Sequence, residues 1–237
     1  MPKVDNVELR PFKEQAAIEA VALVKSGMIV GLGGGSTASF AVRQIGERLA
    51  NGSLENVLGI PCGVKVESVA RQFGVPLTTL DDHPVIDLTI DGADEVAPNL
   101  NLIKGGGGSL LREKMVAQAS QREIIIVDET KLSPVLGTHW PVPVEVVLFG
   151  WRSQVGYLEK LGATVTLRKQ SDDTPFQTDQ GNLILDCNFG PIPDPIELAI
   201  KLQERAGIVE HGLFLGLTSE VIVAGKDGIR HLAPGNP

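Results

Sequence analysis

The sequence predicts an α/β protein: a mostly parallel sheet covered on both faces, with a smaller α+β domain of split βαβ (ferredoxin-like) order inserted into it. Three observations carry this. Short apolar runs alternate with stretches of helical periodicity as far as Lys131, the pattern of parallel strands joined by crossover helices. Beyond Lys131 the order becomes strand, helix, two strands, helix and strand. The composition is 43% hydrophobic, so the surplus of 27 Gly and 15 Pro in 237 residues belongs to a packed globule and not to a linker.

Residues 12–26 (FKEQAAIEAVALVKS) carry apolar side chains at helical spacing, with Pro11 at the start and Gly27 as the stop. MIVGLG (28–33) reads as a buried strand. STASFAVRQIGERLANG (36–52) reads as a helix with Ser36 or Thr37 as its N-cap. A strand VLGI (57–60), a helix over 63–73, and strands LTTL (77–80) and VIDLTI (85–90) continue the alternation. A helix near 110–120 and the strand EIIIVD (123–128) complete it.

HWPVPVEVVLFG (139–150) predicts a strand with the alternation of a sheet exposed on one face. A helix (152–162), a strand (163–169), a polar, turn-rich loop (170–181), a strand (182–189) and a helix (194–207) follow. GLFLGLTSEVIVAGKDGIRHL (212–232) predicts strands joined by a KDG turn. The expected division is a first domain of 1–138 plus 213–237, with the small domain at 139–212.

Composition excludes several classes of function. Lys plus Arg is 21 against 29 Asp plus Glu, a formal charge of −8, and aromatics are 4%. Nucleic-acid binding needs a basic face or stacking platforms, so no nucleic-acid partner is expected. Cys62 and Cys187 make no disulfide framework, and with four scattered histidines no metal-ligand spacing arises. No apolar run nears the roughly 18 residues of a membrane span, and no leader pattern opens the chain. The expectation is a soluble, cytoplasmic protein without a membrane partner.

Four constellations can carry chemistry. Gly31, Gly33, Gly34 and Gly35 lead into Ser36 and Thr37 between a strand and a helix, where backbone N–H groups and the helix dipole favour an anion. The dinucleotide fingerprint is not matched, since its sixth position is Ser36, and no GK[ST] follows. Asp91-Gly92-Ala93-Asp94-Glu95 follows a strand, where ligands of open α/β sheets bind. Lys104 precedes Gly105, Gly106, Gly107 and Gly108, a run costly in conformational entropy, and Glu113 lies on the helix after it. Lys131, in Asp128-Glu129-Thr130-Lys131, lies at the end of the strand EIIIVD. Each has a plain alternative: a tight turn without ligand, a solvated acidic turn, a charged helix face, a solvated lysine. Together they suit a small phosphorylated substrate and proton transfer next to a carbonyl.

At these residues the chain resembles the type A ribose-5-phosphate isomerase family. DGADEVAPNLNLIKGGGGSLLREK (91–114) is similar to the family's central signature, and GLGGGSTASF to its G-x-G-T-G-S-T-A loop. VDETKLSPVLG (127–137), PVPVEVV (141–147) and GNLILDCNFG (181–190) follow in the family's order. The resemblance implies a Rossmann-like domain with a small α+β domain, assembled as a homodimer or homotetramer. It implies interconversion of D-ribose 5-phosphate and D-ribulose 5-phosphate through an enediolate, in the pentose phosphate pathway. Glu113 would be the general base, with Lys104 and Asp91 around the reacting oxygens. Gly34, Gly35, Ser36, Thr37, Gly92, Ala93, Asp94, Gly105, Gly106, Gly107 and Lys131 would bind substrate. No cofactor and no metal is implied.

Two departures stand out: Gly34 replaces the family's usual Thr, and Cys62-Gly63 replace Thr-Ser after Gly59-Ile60-Pro61. The alternatives are a non-catalytic sugar-phosphate sensor and an acyl-CoA transferase with a glutamate nucleophile.

Overall fold

In the computed structural model, which describes residues 7–235, the chain opens with helix α1 (Arg10–Val21), strand β1 (Ile29–Leu32) and helix α2 (Gly35–Ala50). Next come β2 (Leu58–Pro61), α3 (Val64–Gln72), β3 (Leu88–Asp91), β4 (Glu95–Val96), β5 (Leu102–Ile103) and α4 (Leu110–Ala119). β6 (Glu123–Asp128), β7 (Val142–Val146), α5 (Trp151–Lys160), β8 (Thr164–Leu167) and β9 (Leu183–Asn188) follow. The chain ends with α6 (Pro195–Gln203), β10 (Ile208–His211), β11 (Leu213–Phe214), β12 (Glu220–Gly225) and β13 (Gly228–Leu232).

Contacts divide the chain into two compact units. The first runs to Ala93, resumes over Met115–Lys131 and again from Leu217; the second is Asp94–Lys114 with Leu132–Gly216. Set beside the expected inserted segment 139–212, the second unit also carries 94–114, 132–138 and 213–216.

The first unit holds a six-stranded sheet in the order β13-β12-β6-β3-β1-β2. Every neighbouring pair is parallel except the β12–β13 hairpin at the edge. β3 and β6 are buried along their whole length, as strands covered on both faces must be. Ala16, Ala17 and Ala20 of α1, Ala41 and Ile45 of α2, and Ala70 of α3 join Val30, Leu32, Leu88 and Ile90 in one apolar cluster. From β1 the chain passes to β2 on one side and then to β3 on the other, so a topological switch point lies between β1 and β3. Ligands of open α/β sheets bind outside the carboxyl ends at such a point.

The second unit holds a four-stranded antiparallel sheet, β10-β7-β9-β8, with α5 between β7 and β8 and α6 between β9 and β10. That is the split βαβ order read from the sequence. A three-stranded sheet, β11-β5-β4, accompanies it.

Four sequence expectations need correction. The first helix ends at Val21 and not at Ser26: Leu23 and Val24 donate to carbonyls three residues back, which tightens and ends the helix. LTTL forms no strand. Leu77 makes a single bridge to Gly59, and Thr79 then turns the chain by bonding Asp82. The N-cap of α2 is Gly34, without a side-chain bond, and not Ser36 or Thr37. β7 is buried at all five residues and not exposed on one face, because Ala97, Ile103, Leu136 and Leu213 join its valines in the second apolar cluster.

Candidate active site

In the first unit the carboxyl ends of β1, β3 and β6 lie side by side, since these strands are neighbours. The glycine turn leaves β1, Asp91 ends β3, and Lys131 closes a 3-10 turn (Glu129–Lys131) after β6. Asp91, 1% exposed, accepts from the N–H groups of Gly34 (2.9 Å) and Gly92 (2.7 Å) at one oxygen. Its carboxylate thus shapes the turn: a Cβ on Gly33 would stand 2.3 Å from it. Gly31 faces Thr89 and Val116 closely enough that a Cβ would lie 1.8 Å from the Thr89 hydroxyl. Ser36 and Thr37 fall in the first turn of α2, and the buried Lys13 of α1 donates to the Ser36 hydroxyl at 2.9 Å.

The second unit brings the other predicted residues together. Lys104 (3% exposed) and Glu113 (5%) form a buried ion pair, Nζ to Oε2 3.3 Å. Lys104 follows β5, its N–H fixed on the Gly212 carbonyl, and Glu113 stands in the first turn of α4. Burial of such a pair is tolerated only where geometry and further contacts compensate for lost hydration. One such contact is the ring of Phe214, 5.3 Å from the Lys104 ammonium. Asp94, also buried, accepts from the Gly106 N–H at 2.6 Å.

Sequence reasoning missed the residues behind this pair. Lys114 belonged to a charged run, yet it is buried and bonded to Glu210 (2.6 Å) and the His211 carbonyl (2.7 Å). Its ammonium also lies 4.9 Å from the Phe214 ring. Burial pulls the Lys114 pKa below its ordinary value, against the pull of Glu210. His211 Nδ1 accepts from the Leu213 N–H at 3.3 Å, so the neutral ring carries its proton on Nε2. Burial first, then the Lys114 charge, push its pKa down to about 4. Nearly a hundred residues separate Lys114 from these partners, and no local spacing signals such a contact.

The structure therefore brings Gly33, Gly34, Gly92 and Asp91 together in the first unit, with Lys131 on the same sheet edge. It brings Asp94, Lys104, Gly105 to Gly107 and Glu113 together in the second. Ala93 is the last residue of the first unit's opening segment. Among the described residues no helix is long and apolar enough to cross a membrane.

Comparisons with known proteins agree on one family. Residues 58–228 match the family described as ribose 5-phosphate isomerase A (phosphoriboisomerase A). The chain is similar to ribose-5-phosphate isomerase A of Chloroflexus aurantiacus, 60% identical over 93% of this chain and 92% of that one. The counterpart in Desulfatibacillum aliphaticivorans is 56% identical over 93% and 96%. Among solved structures, a D-ribose-5-phosphate isomerase in complex with phospho-erythronic acid superposes with a TM-score of 0.92 at 37% identity, covering 94% of this chain and 98% of that one. The Plasmodium falciparum ribose 5-phosphate isomerase gives a TM-score of 0.92 at 40% identity, covering 96% and 100%.

Proposed function

The chain belongs to the ribose 5-phosphate isomerase A family, and from that premise we propose how its own residues perform the interconversion of D-ribose 5-phosphate and D-ribulose 5-phosphate. The sensor and acyl-transferase alternatives are not favoured, since these relatives are isomerases across nearly their whole length.

The observation that carries the mechanism is the buried Lys104–Glu113 pair. Glu113 is the general base. It removes the proton from C2 of the open-chain aldose and returns it to C1, while the hydroxyl proton passes between O2 and O1. Its carboxylate is buried and held beside the Lys104 ammonium, so its position is set before substrate arrives. As negative charge grows on the enediolate oxygens, Lys104 is a preorganised cation for it. When Glu113 takes the proton it becomes neutral, and the ammonium's field turns wholly to the enediolate.

Asp91 is assigned to the reacting oxygens, and Gly92, Ala93 and Asp94 to binding around them. Gly34, Gly35, Ser36, Thr37 and Lys131 are assigned to the substrate, the glycine turn as the phosphate loop. Gly105, Gly106 and Gly107 also bind substrate. The hydrogen moves as a proton within one molecule, so the reaction needs no redox cofactor. The phospho-erythronic acid bound by the relative supports this reading: its planar carboxylate resembles the O1–C1–C2–O2 end of an enediolate. A homodimer or homotetramer working in the cytoplasm completes the proposal, and mass measurement in solution checks the assembly.

The decisive experiment is Glu113→Gln with ribose 5-phosphate. The amide cannot accept the proton, so kcat falls by the roughly 10²–10⁴-fold of general-base catalysis while KM changes little. A kcat above a tenth of wild type removes Glu113 from the role of base.

A further inference from the structure

Arg168 follows β8, and its guanidinium is engaged on every nitrogen. Nε and Nη2 take the two carboxylate oxygens of Asp186 on the neighbouring strand β9, with Nε 2.9 Å from Oδ2. This two-point pairing fixes the plane of both groups. The third nitrogen, Nη1, reaches the four-glycine loop. It donates to the Gly105 carbonyl at 2.8 Å and, more weakly, to the Gly106 carbonyl at 3.4 Å. The same strand end holds the loop a second time: the Phe176 N–H bonds the Arg168 carbonyl at 2.9 Å, and the Phe176 ring covers Gly108.

These contacts set peptide planes. In a trans peptide the N–H points opposite to the carbonyl. The Gly105–Gly106 peptide is held at both ends, its carbonyl by Arg168 and its N–H by Asp94 at 2.6 Å. The Gly106–Gly107 peptide has its carbonyl towards Arg168, so the Gly107 N–H is turned away from the guanidinium. That N–H donates to no group among the described residues, and a Cβ on Gly107 would meet nothing within 4 Å. A donor of fixed direction on an exposed residue is therefore left without a protein acceptor at the middle of the loop.

We propose that Arg168 is a positioning residue of the isomerase reaction: anchored by Asp186, it fixes the Gly105–Gly107 peptides and so aims the Gly107 N–H at an anionic oxygen of the sugar phosphate. The inference rests on the assignment of this loop to substrate binding. A lysine cannot replace the arginine, because one ammonium cannot span both the carboxylate and the carbonyls.

The test is the kinetics of Arg168→Ala and Arg168→Lys, with Glu113→Gln assayed beside them. Both arginine variants lose kcat/KM, Arg168→Ala by on the order of 10²-fold, the loss expected when a reacting geometry slips by about an ångström. Millimolar guanidinium restores several-fold of the Arg168→Ala loss in a saturable way, while equal urea or sodium chloride does not. Rescue of this kind is not expected of a strut that only stabilises the fold. Wild-type kcat/KM in either variant overturns the inference, as does a loss that guanidinium leaves untouched while the melting temperature falls. If Arg168→Ala does not fold, Arg168→Lys decides: reduced kcat/KM at an unchanged melting temperature supports the role, and any other outcome overturns it. An active Glu113→Gln enzyme defeats the mechanism itself. An inactive one beside an unimpaired Arg168→Ala defeats the positioning role alone.

Discussion

The glycine turn at 31–35 is held by backbone and side chains packed inside a parallel sheet, whereas the loop at 105–108 is held by side chains reaching across from other elements. In the first, Gly31 has no room for a Cβ against Thr89, nor Gly33 against Asp91, while Gly35 adopts a φ of +87° that only glycine takes easily. In the second, Gly105 and Gly108 have positive φ and also press on Leu110 and Phe176, and Gly106 lies against the Asp94 carboxylate. Gly107 alone has neither constraint. The lesson is that a glycine-rich loop is not one signal. Most of these glycines answer to the fold, and only a glycine that the fold does not require speaks directly for a ligand.

The strongest way to break the comparison is at Gly33. A Cβ there would stand 2.4 Å from the Asp91 Cα, backbone that cannot give way. Gly33→Ala is expected to destabilise by about 3 kcal/mol, the upper end of overpacking costs. A thermal melt within a degree or two of wild type would show that the first turn is looser than its packing implies.

Acid separates the two loops next. His211 titrates near 4 in the folded state, below its ordinary 6.5. Between these values the unfolded chain takes up a proton that the folded chain refuses, so stability falls as pH drops through the window. The full effect approaches about 3 kcal/mol. The groups facing the ring are Lys114 and Glu210, and the next residue, Gly212, holds the Lys104 N–H. His211→Asn should therefore flatten the dependence of the urea midpoint on pH between 6.5 and 4.5. Amides of 104–108 in the wild type should gain exchange protection relative to 31–35 as pH rises. An unchanged pH slope in the variant would remove His211 from this account.

Gly108 is weaker, because its neighbour is a side chain. Gly108→Ala places a Cβ 2.3 Å from the Phe176 ring at a φ of +94°, a strain of about 2 kcal/mol. In the double variant with Phe176→Ala the ring contact disappears and the φ penalty stays, so the two changes should couple by about 1 kcal/mol. Additive melts would mean that the ring already moves freely.

What the sequence made legible follows the same line. Apolar strands such as EIIIVD announce a buried parallel sheet because every residue there is covered, and the split βαβ order follows from runs of one type each. LTTL deceived because Thr79 can satisfy a turn as readily as a ladder. Lys104, Glu113 and Asp94 were legible as candidates since one short segment contains them all. Arg168, Asp186 and Phe214 were not: Arg168 reaches the Gly105 carbonyl across 63 residues, Asp186 pairs with it from the neighbouring strand, and Phe214 acts through its ring, contacts set by tertiary packing and not by spacing.

Gly107 is where the comparison is sharpest, and there the expected effect on stability is the smallest. The residue lies outside the left-handed region, and nothing stands within 4 Å of where its Cβ would be. Alanine at such a position narrows the unfolded ensemble and should raise stability by roughly 0.4–1 kcal/mol. If the open space above Gly107 receives the substrate, the same methyl obstructs it and tilts the N–H away from its acceptor. The expected Gly107→Ala enzyme is therefore at least as stable as wild type but has a raised KM for ribose 5-phosphate. Stability and binding move in opposite directions only where glycine serves the ligand. A variant with unchanged KM would reduce Gly107 to the status of its neighbours, a residue kept for the fold.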